Sequence, residues 1–276
     1  MTAQWRTLTP ADLPALASLT SRCLAADGGL PMSADPGFLR SRYFADGGRA
    51  IGAFDGPELV ASAGARPAGF TGQVDPARRG TGLGSHIMAW GLPGVAETEA
   101  WTPEAGQLFE RHGLTRTFGE LVMTCALTAQ QPVSVPAGVT FEEWQPGREH
   151  DFFHAYTNSF ADRPGFPGWT AEYWIDWISD PDDFAPAWSL LARSPGGEPA
   201  GFVACSPDPA ISQAGVVPGW RRHGLGRALL LEAHNRMLAA GETSVLLMVA
   251  TNNPGAEALY RSLGYDVIGQ RARYSV

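Results

Sequence analysis

Arg221, Gly224 and Gly226 stand in the spacing R-x-x-G-x-G inside the stretch VVPGWRRHGLGRALLLEAH, which runs from Val216 to His234. A short apolar run stops at Pro218, and apolar residues at helical spacing follow at Leu225, Ala228, Leu229 and Ala233. Strand, glycine turn and helix in that order form a device for holding phosphate. Glycines let the backbone approach an anion, and the N–H groups of a first helical turn lack partners. The helix dipole adds about half a positive charge. Arg221 is expected to add a full one, with Arg222, His223, Leu225 and Arg227 lining the same turn. A Walker loop is excluded, because it needs a lysine after its last glycine and all 20 basic side chains here are arginine. The dinucleotide fingerprint fits poorly, since Leu229 occupies its third glycine.

A second motif lies downstream, where Asn253, Ala256, Leu259, Tyr260, Gly264 and Tyr265 follow N-x-x-A-x-x-L-Y-x-x-x-G-[FY]. The first stretch matches V-x-P-x-x-R-x-x-G-x-G-x-x-L-L at Val216, Pro218, Arg221, Gly224, Gly226, Leu229 and Leu230. Together the two resemble, residue for residue, the signatures of the GCN5-related N-acetyltransferases, which bind acetyl-CoA. The resemblance implies roles for these positions. Backbone groups at Val216 and Val217 pair with pantetheine and polarise the thioester carbonyl. Asn253 holds the pantetheine arm, and Tyr260 protonates the leaving thiolate. A phenol with a pKa near 10 suits that last role, because it keeps its proton at neutral pH. Transfer to an amine also needs the amine deprotonated. The strand before the loop reads Ile211-SQAG and carries no acid, so Asp208, Glu143, Asp162 and Glu172 are candidates acting through water.

The elements that must position these groups occur twice. VDPARRGTGLGSHIM, from Val74, lies over VVPGWRRHGLGRALL, with Pro76, Arg79, Gly82 and Gly84 each 142 residues before their counterparts. The later motif repeats from Pro103 over Pro254 at a spacing of 151, so the first copy has nine fewer residues between its motifs. Its helix after the loop should be short, about 84–91. Strands are expected at 4–8, 50–54, 59–65, 72–74, 95–100 and 121–127, and again at 139–144, 189–192, 200–206, 211–217, 244–250 and 266–274. Helices are expected from Pro10 and over 147–160. The expected fold is α/β (α+β mixed sheet), two tandem acetyltransferase-type domains, each a twisted mixed sheet with helices on both faces. Their bounds are 1–128 and 139–276, joined by a linker at 129–138. Among tandem members of the family the chain is most similar to the mycothiol-synthase-like actinobacterial group.

The first copy keeps Arg79, Gly82 and Gly84 and so could hold the same cofactor. At the positions of Asn253 and Tyr260, however, it carries Thr102 and Phe109. Phenylalanine donates no proton, so catalysis is expected in the second domain only. The segment 159–179 follows the second copy's first helix and is expected to form an acceptor lid, with Phe160, Asp162, Trp169 and Tyr173 facing the substrate. An apolar or cationic acceptor would suit those aromatic rings and the nearby Asp176. His150 and His154, four apart, lack a third ligand, so no metal is expected.

The net charge of −8 and a pI near 5.2 argue against nucleic acid or an anionic membrane as a partner. Residues 136–276 hold −6 of that charge, which would steer cationic amines inward. No run of 18 apolar residues exists. The first residues show no secretory pattern, and three isolated cysteines fit a reducing, cytoplasmic setting. The expected activity is acetyl-CoA-dependent N-acetyl transfer to a small primary amine, by a monomer or homodimer. A non-catalytic acyl-CoA-binding protein and an acyltransferase acting on a hydroxyl are the alternatives.

Overall fold

The structure, a computed structural model, describes residues 3–163, 166, 168–180 and 183–276. In the first half β1 (Gln4–Thr7), α1 (Leu13–Asp27), α2 (Pro36–Tyr43), β2 (Arg49–Asp55), β3 (Glu58–Arg66), β4 (Gly69–Val74), α3 (Leu83–Gly91), β5 (Ala96–Thr98), α4 (Pro103–Arg111) and β6 (Thr115–Ala126) follow one another. The second half runs β7 (Thr140–Glu143), α5 (Glu149–Phe160), α6 (Ala171–Ile178), β8 (Leu190–Arg193), β9 (Pro199–Ser206), β10 (Ala210–Val216), α7 (Leu225–Ala239), β11 (Ser244–Ala250), α8 (Pro254–Ser262) and β12 (Asp266–Ser275). The order of strands and helices is identical in the two halves, as the repeat requires. The first copy's helix after the glycine turn has 9 residues against 15 in the second.

Two compact units result. Unit 1 takes Met1–Val122, Val249–Pro254 and Val267–Val276. Its strands lie in the order β1-β2-β3-β4-β5-β12, followed by the first part of β6. The last strand is therefore not in the unit where a contiguous second domain would put it. β12 runs antiparallel to β5, with Ala272 opposite Thr98, Arg273 opposite Glu97 and Tyr274 opposite Ala96. The reason lies in its alternation: Arg273 pairs with Glu97 at 3.1 Å, and Arg271 pairs with Glu99. Tyr274 turns the other way, into a core with Phe70, Met88, Phe109 and Leu114. Its hydroxyl accepts from Trp101 Nε1 at 2.9 Å.

Unit 2 takes Met123–Met248 and Gly255–Asp266. Its sheet order is β11-β10-β9-β8-β7, with the last residues of β6 beside β11. Helices cover both faces, and β10 shows why. Successive strand residues point to opposite faces: a Cβ on Gly215 would meet Ser159 of α5 at 2.6 Å, while Val216 packs beside Gly226 of α7. On α5, Phe152, Ala155, Tyr156 and Ser159 recur at helical spacing and are buried. Among the described residues no helix is long and apolar enough to cross a membrane.

Candidate active site

Each unit contains a strand that parts from its parallel neighbour. In unit 2, β10 pairs with β9 from Ala210 opposite Ser206 to Val216 opposite Gly201. It pairs with β11 only at Ala210 opposite Leu246 and Ile211 opposite Leu247. A register shift between Ile211 and Gln213 accompanies the parting. The backbone of the last β10 residues is thus open on one side. N–H groups alternate sides along an antiparallel strand. Val217 N–H donates to Ala200 O at 3.0 Å, so the N–H of Val216 faces the vacated side. Of the two backbone donors expected here, Val217 is spent inside the fold and Val216 is available.

The gap opens toward the glycine turn. Gly224 sits in the left-handed region at φ 84° as the N-cap of α7, with no side chain capping the helix. Nothing lies within 4 Å of where its Cβ would be. The first capping bond inside the helix is Ala228 N–H to Gly224 O, which leaves the N–H groups of Leu225, Gly226 and Arg227 free of protein acceptors among the described residues. Arg222 also has positive φ, at 67°, tightening the turn. An anion with room beside Gly224 fits these donors. Arg227 instead reaches Ser262 O and Oγ at 3.3 Å, fastening α8 to the start of α7.

Arg221 does not aim its charge at the turn. Its Nε donates to Val216 O at 3.1 Å, one Nη to Ser159 O at 2.9 Å, and both Nη atoms to the Asp162 carboxylate at 2.6 and 3.0 Å. It clamps the end of α5 to the end of β10, and it holds the Asp162 carboxyl below the usual carboxylate range. Asp162, expected beside the acceptor, is therefore committed to Arg221. Unit 1 repeats the clamp, with Arg79 donating at 2.8 Å to Asp27 at the end of α1. Glu143 is likewise taken, by Arg236 at 2.7 Å.

Tyr260 lies on α8, whose Leu259 packs 3.5 Å from the Cβ position of Gly226. Its hydroxyl makes no hydrogen bond among the described residues. Burial raises its pKa above the ordinary tyrosine value, and the Arg163 charge opposes that rise. Beneath it, at a ring distance of 5.8 Å, stands Tyr265, whose hydroxyl shares a 2.8 Å hydrogen bond with His234 Nε2. His234 is buried and its pKa is lowered to about 4, so the imidazole is neutral at pH 7. His223 lies on the turn with its ring 6.3 Å from Trp220. Asn253 stands just before α8, its N–H donating to Ala250 O at 2.9 Å, in the run that belongs to unit 1.

The aromatic lid centres on a residue that the motifs did not mark. Tyr156 of α5 is 3% exposed, and the rings of Phe160, Phe166 and Trp169 lie 5.4, 5.5 and 6.2 Å from it. The signal was the spacing Phe152, Tyr156, Phe160 along one helix face. Trp174 is fully buried and donates to Gln213 Oε1 on β10 at 3.0 Å. Tyr173 is 57% exposed on the outer face of α6, against Trp169 at 5.2 Å. Residues 164, 165 and 167 of the expected lid lie outside the described residues. His150 and His154 are both exposed on α5.

Unit 1 has the same parting, with β4 and β5 paired only at Phe70 opposite Ala96 and Thr71 opposite Glu97. A cavity of about 710 Å³ occupies it, reaching from Arg79, Gly82 and Gly84 to Tyr43 and Glu97. Gly82 is left-handed at φ 90°. Thr102 is a helix cap, its Oγ accepting from Ala105 N–H at 3.2 Å, and Phe109 packs 4.7 Å from Tyr274 in the core. The position of the phenol is thus filled by a core ring.

Residues 143–265 match the model of the acetyltransferase (GNAT) family. The mycothiol acetyltransferase of Thermobispora bispora is 32% identical over 278 residues, covering 93% of both chains. That of Frankia alni is 30% identical, over 95% of this chain and 90% of its own. Among solved structures, a GCN5-related N-acetyltransferase from Sphaerobacter thermophilus superposes with a TM-score of 0.81 at 27% identity, over 99% of this chain and 94% of its own. A tandem GNAT protein from the clavulanic acid biosynthesis pathway shares the fold, with a TM-score of 0.66 at 16% identity over 99% and 97%.

Proposed function

The chain is an acetyltransferase of the GNAT family, and we propose that it transfers the acetyl group of acetyl-CoA to a small primary amine, using unit 2. The observation that carries this reading is the parting of β10 from β11 in front of an uncapped glycine turn. An extended ligand with an anionic end and amide groups finds backbone partners along that path. Acetyl-CoA has that form, and when bound it supplies an acetyl group activated as a thioester. The N–H groups of Gly224, Leu225 and Gly226 hold the pyrophosphate. Open backbone groups of β10 pair with the pantetheine amides, and Val216 N–H polarises the carbonyl. As the amine nitrogen bonds to the carbonyl carbon and the C–S bond breaks, Tyr260 gives its proton to the sulfur. Its raised pKa keeps that proton in place beforehand. No carboxylate on β10 takes a proton from the amine, so the acceptor enters as the free base or loses its proton through water.

The unit 1 cavity is proposed to hold the same cofactor at the turn of Gly82 and Gly84, with Arg79 clamped to Asp27 as Arg221 is to Asp162, without turning it over, since a ring with no hydroxyl stands at Phe109. The relatives' name makes the amine precursor of mycothiol the first acceptor to try, and we place the reaction in the cytoplasm. The test is a panel of primary amines and alcohols with acetyl-CoA, followed by release of free CoA thiol. Release with at least one amine, and N-acetyl product by mass, is expected. Release only with alcohols would overturn the reading.

A further inference from the structure

Tyr260 is half-buried, and its hydroxyl makes no hydrogen bond among the described residues. A phenol with no bond of its own is aimed by what its ring packs against. That support is Tyr265, 5.8 Å away between ring centres at an interplanar angle of 58°. The chain turns back under α8 to place it there. Gly264 is left-handed at φ 90°, and the N–H groups of Leu263 and Tyr265 both donate to Tyr260 O, at 2.9 and 3.2 Å. Tyr265 is thereby tied to the backbone of Tyr260 itself.

The far end of Tyr265 is held as well, by the 2.8 Å bond between its hydroxyl and His234 Nε2 of α7. Both side chains are buried. The imidazole is neutral at pH 7, so the bond carries no charge toward Tyr260 and acts through geometry. The repeat supplies the contrast. In unit 1 Phe109 stands at the place of Tyr260, and Leu114, five residues further on, stands at that of Tyr265. Leu92, ten residues after Gly82 as His234 is after Gly224, already lies past the end of α3 at Gly91. The copy without the phenol also lacks the pair that would support it.

We propose that Tyr265 and His234 are positioning residues for the general acid of unit 2. The histidine pins the Tyr265 ring through its hydroxyl, and that ring sets the direction from which the Tyr260 phenol meets the departing sulfur. Arg227 ties Ser262 to the first turn of α7, so α8 is joined to α7 at two points. The phenol is then fixed relative to the glycine turn that begins α7. The inference rests on Tyr260 being the acid that protonates the sulfur as the C–S bond breaks.

The test is a double-mutant cycle on kcat for CoA release, with the amine precursor of mycothiol as acceptor. Tyr265→Phe and His234→Leu should each lower kcat roughly tenfold, with the KM for acetyl-CoA within about twofold. His234→Gln, which still offers the phenol a partner, should restore most of that loss. In a Tyr260→Phe background, Tyr265→Phe should cost nothing further. Equal loss in both backgrounds, or wild-type kcat in Tyr265→Phe, overturns the positioning while a slow Tyr260→Phe keeps the acid in place. Wild-type kcat in Tyr260→Phe overturns both. If that amine is not acetylated, fluorine NMR of protein carrying 3-fluorotyrosine decides. The Tyr260 resonance, assigned by its loss in Tyr260→Phe, should move or broaden in His234→Leu, which leaves both rings in place, and return in His234→Gln. A resonance unchanged in His234→Leu overturns the positioning.

Discussion

A glutamate at position 226 sets fold and ligand against each other. Gly226 is the second residue of α7, and a Cβ there meets Val216 Cγ2 at 3.4 Å and Leu259 Cδ2 at 3.5 Å, both ordinary contacts. The helix accepts the side chain. Glutamate in place of glycine gains about 0.5 kcal/mol in helix propensity, and a carboxylate in a first turn gains roughly 0.3–1 kcal/mol from the dipole. The melting temperature of Gly226→Glu should therefore hold or rise. Gly224 would not separate the two effects, because its φ of 84° strains any side chain. A carboxylate about 5 Å from a bound pyrophosphate charge would repel it. At an effective dielectric constant of about 20, that repulsion is roughly 3 kcal/mol, on the order of 100-fold in affinity. The assay pairs a melting curve with the acetyl-CoA dependence of turnover. An intact fold with an unchanged KM for acetyl-CoA would refute the phosphate role of this turn.

In unit 1, Gly84→Glu should remove one equivalent of acetyl-CoA in calorimetry and leave turnover within about twofold; equal loss of turnover from Gly84→Glu and Gly226→Glu would contradict catalysis in unit 2. A pH titration of stability follows from His234, whose pKa falls from 6.5 to about 4 on burial. The unfolded chain binds the extra proton, so stability is complete above pH 6.5 and falls as the pH drops toward 4. The loss is about 3 kcal/mol at 1.36 kcal/mol per pH unit. Chemical denaturation between pH 7 and 4 should show that step in the wild type and lack it in His234→Gln; the same step in both would remove His234 as its source.

The glycine turn was legible because it depends on local residue types: Gly224 is left-handed, a conformation that favours glycine. The repeat was legible for the same reason, down to the shortened α3. What the motifs could not show were partners distant in sequence. Arg221 looked like a phosphate ligand until Asp162, 59 residues earlier, took its charge. The Arg79–Asp27 pair repeats that device across 52 residues, so the acid at the end of each copy's first helix was the missed clue. That β12 pairs with β5 was not legible, because Glu97 and Glu99, which draw Arg273 and Arg271, lie more than 170 residues away.

The central claim is that Tyr260 delivers the proton which releases CoA. Its hydroxyl makes no hydrogen bond to the described protein, so Tyr260→Phe removes chemistry and little else. The decisive measurement is steady-state CoA release by the wild type and by Tyr260→Phe at saturating amine, with acetyl-CoA varied. A fall in kcat on the order of 100-fold, with the KM for acetyl-CoA nearly unchanged, is the expected result. Wild-type kcat in the variant would contradict it.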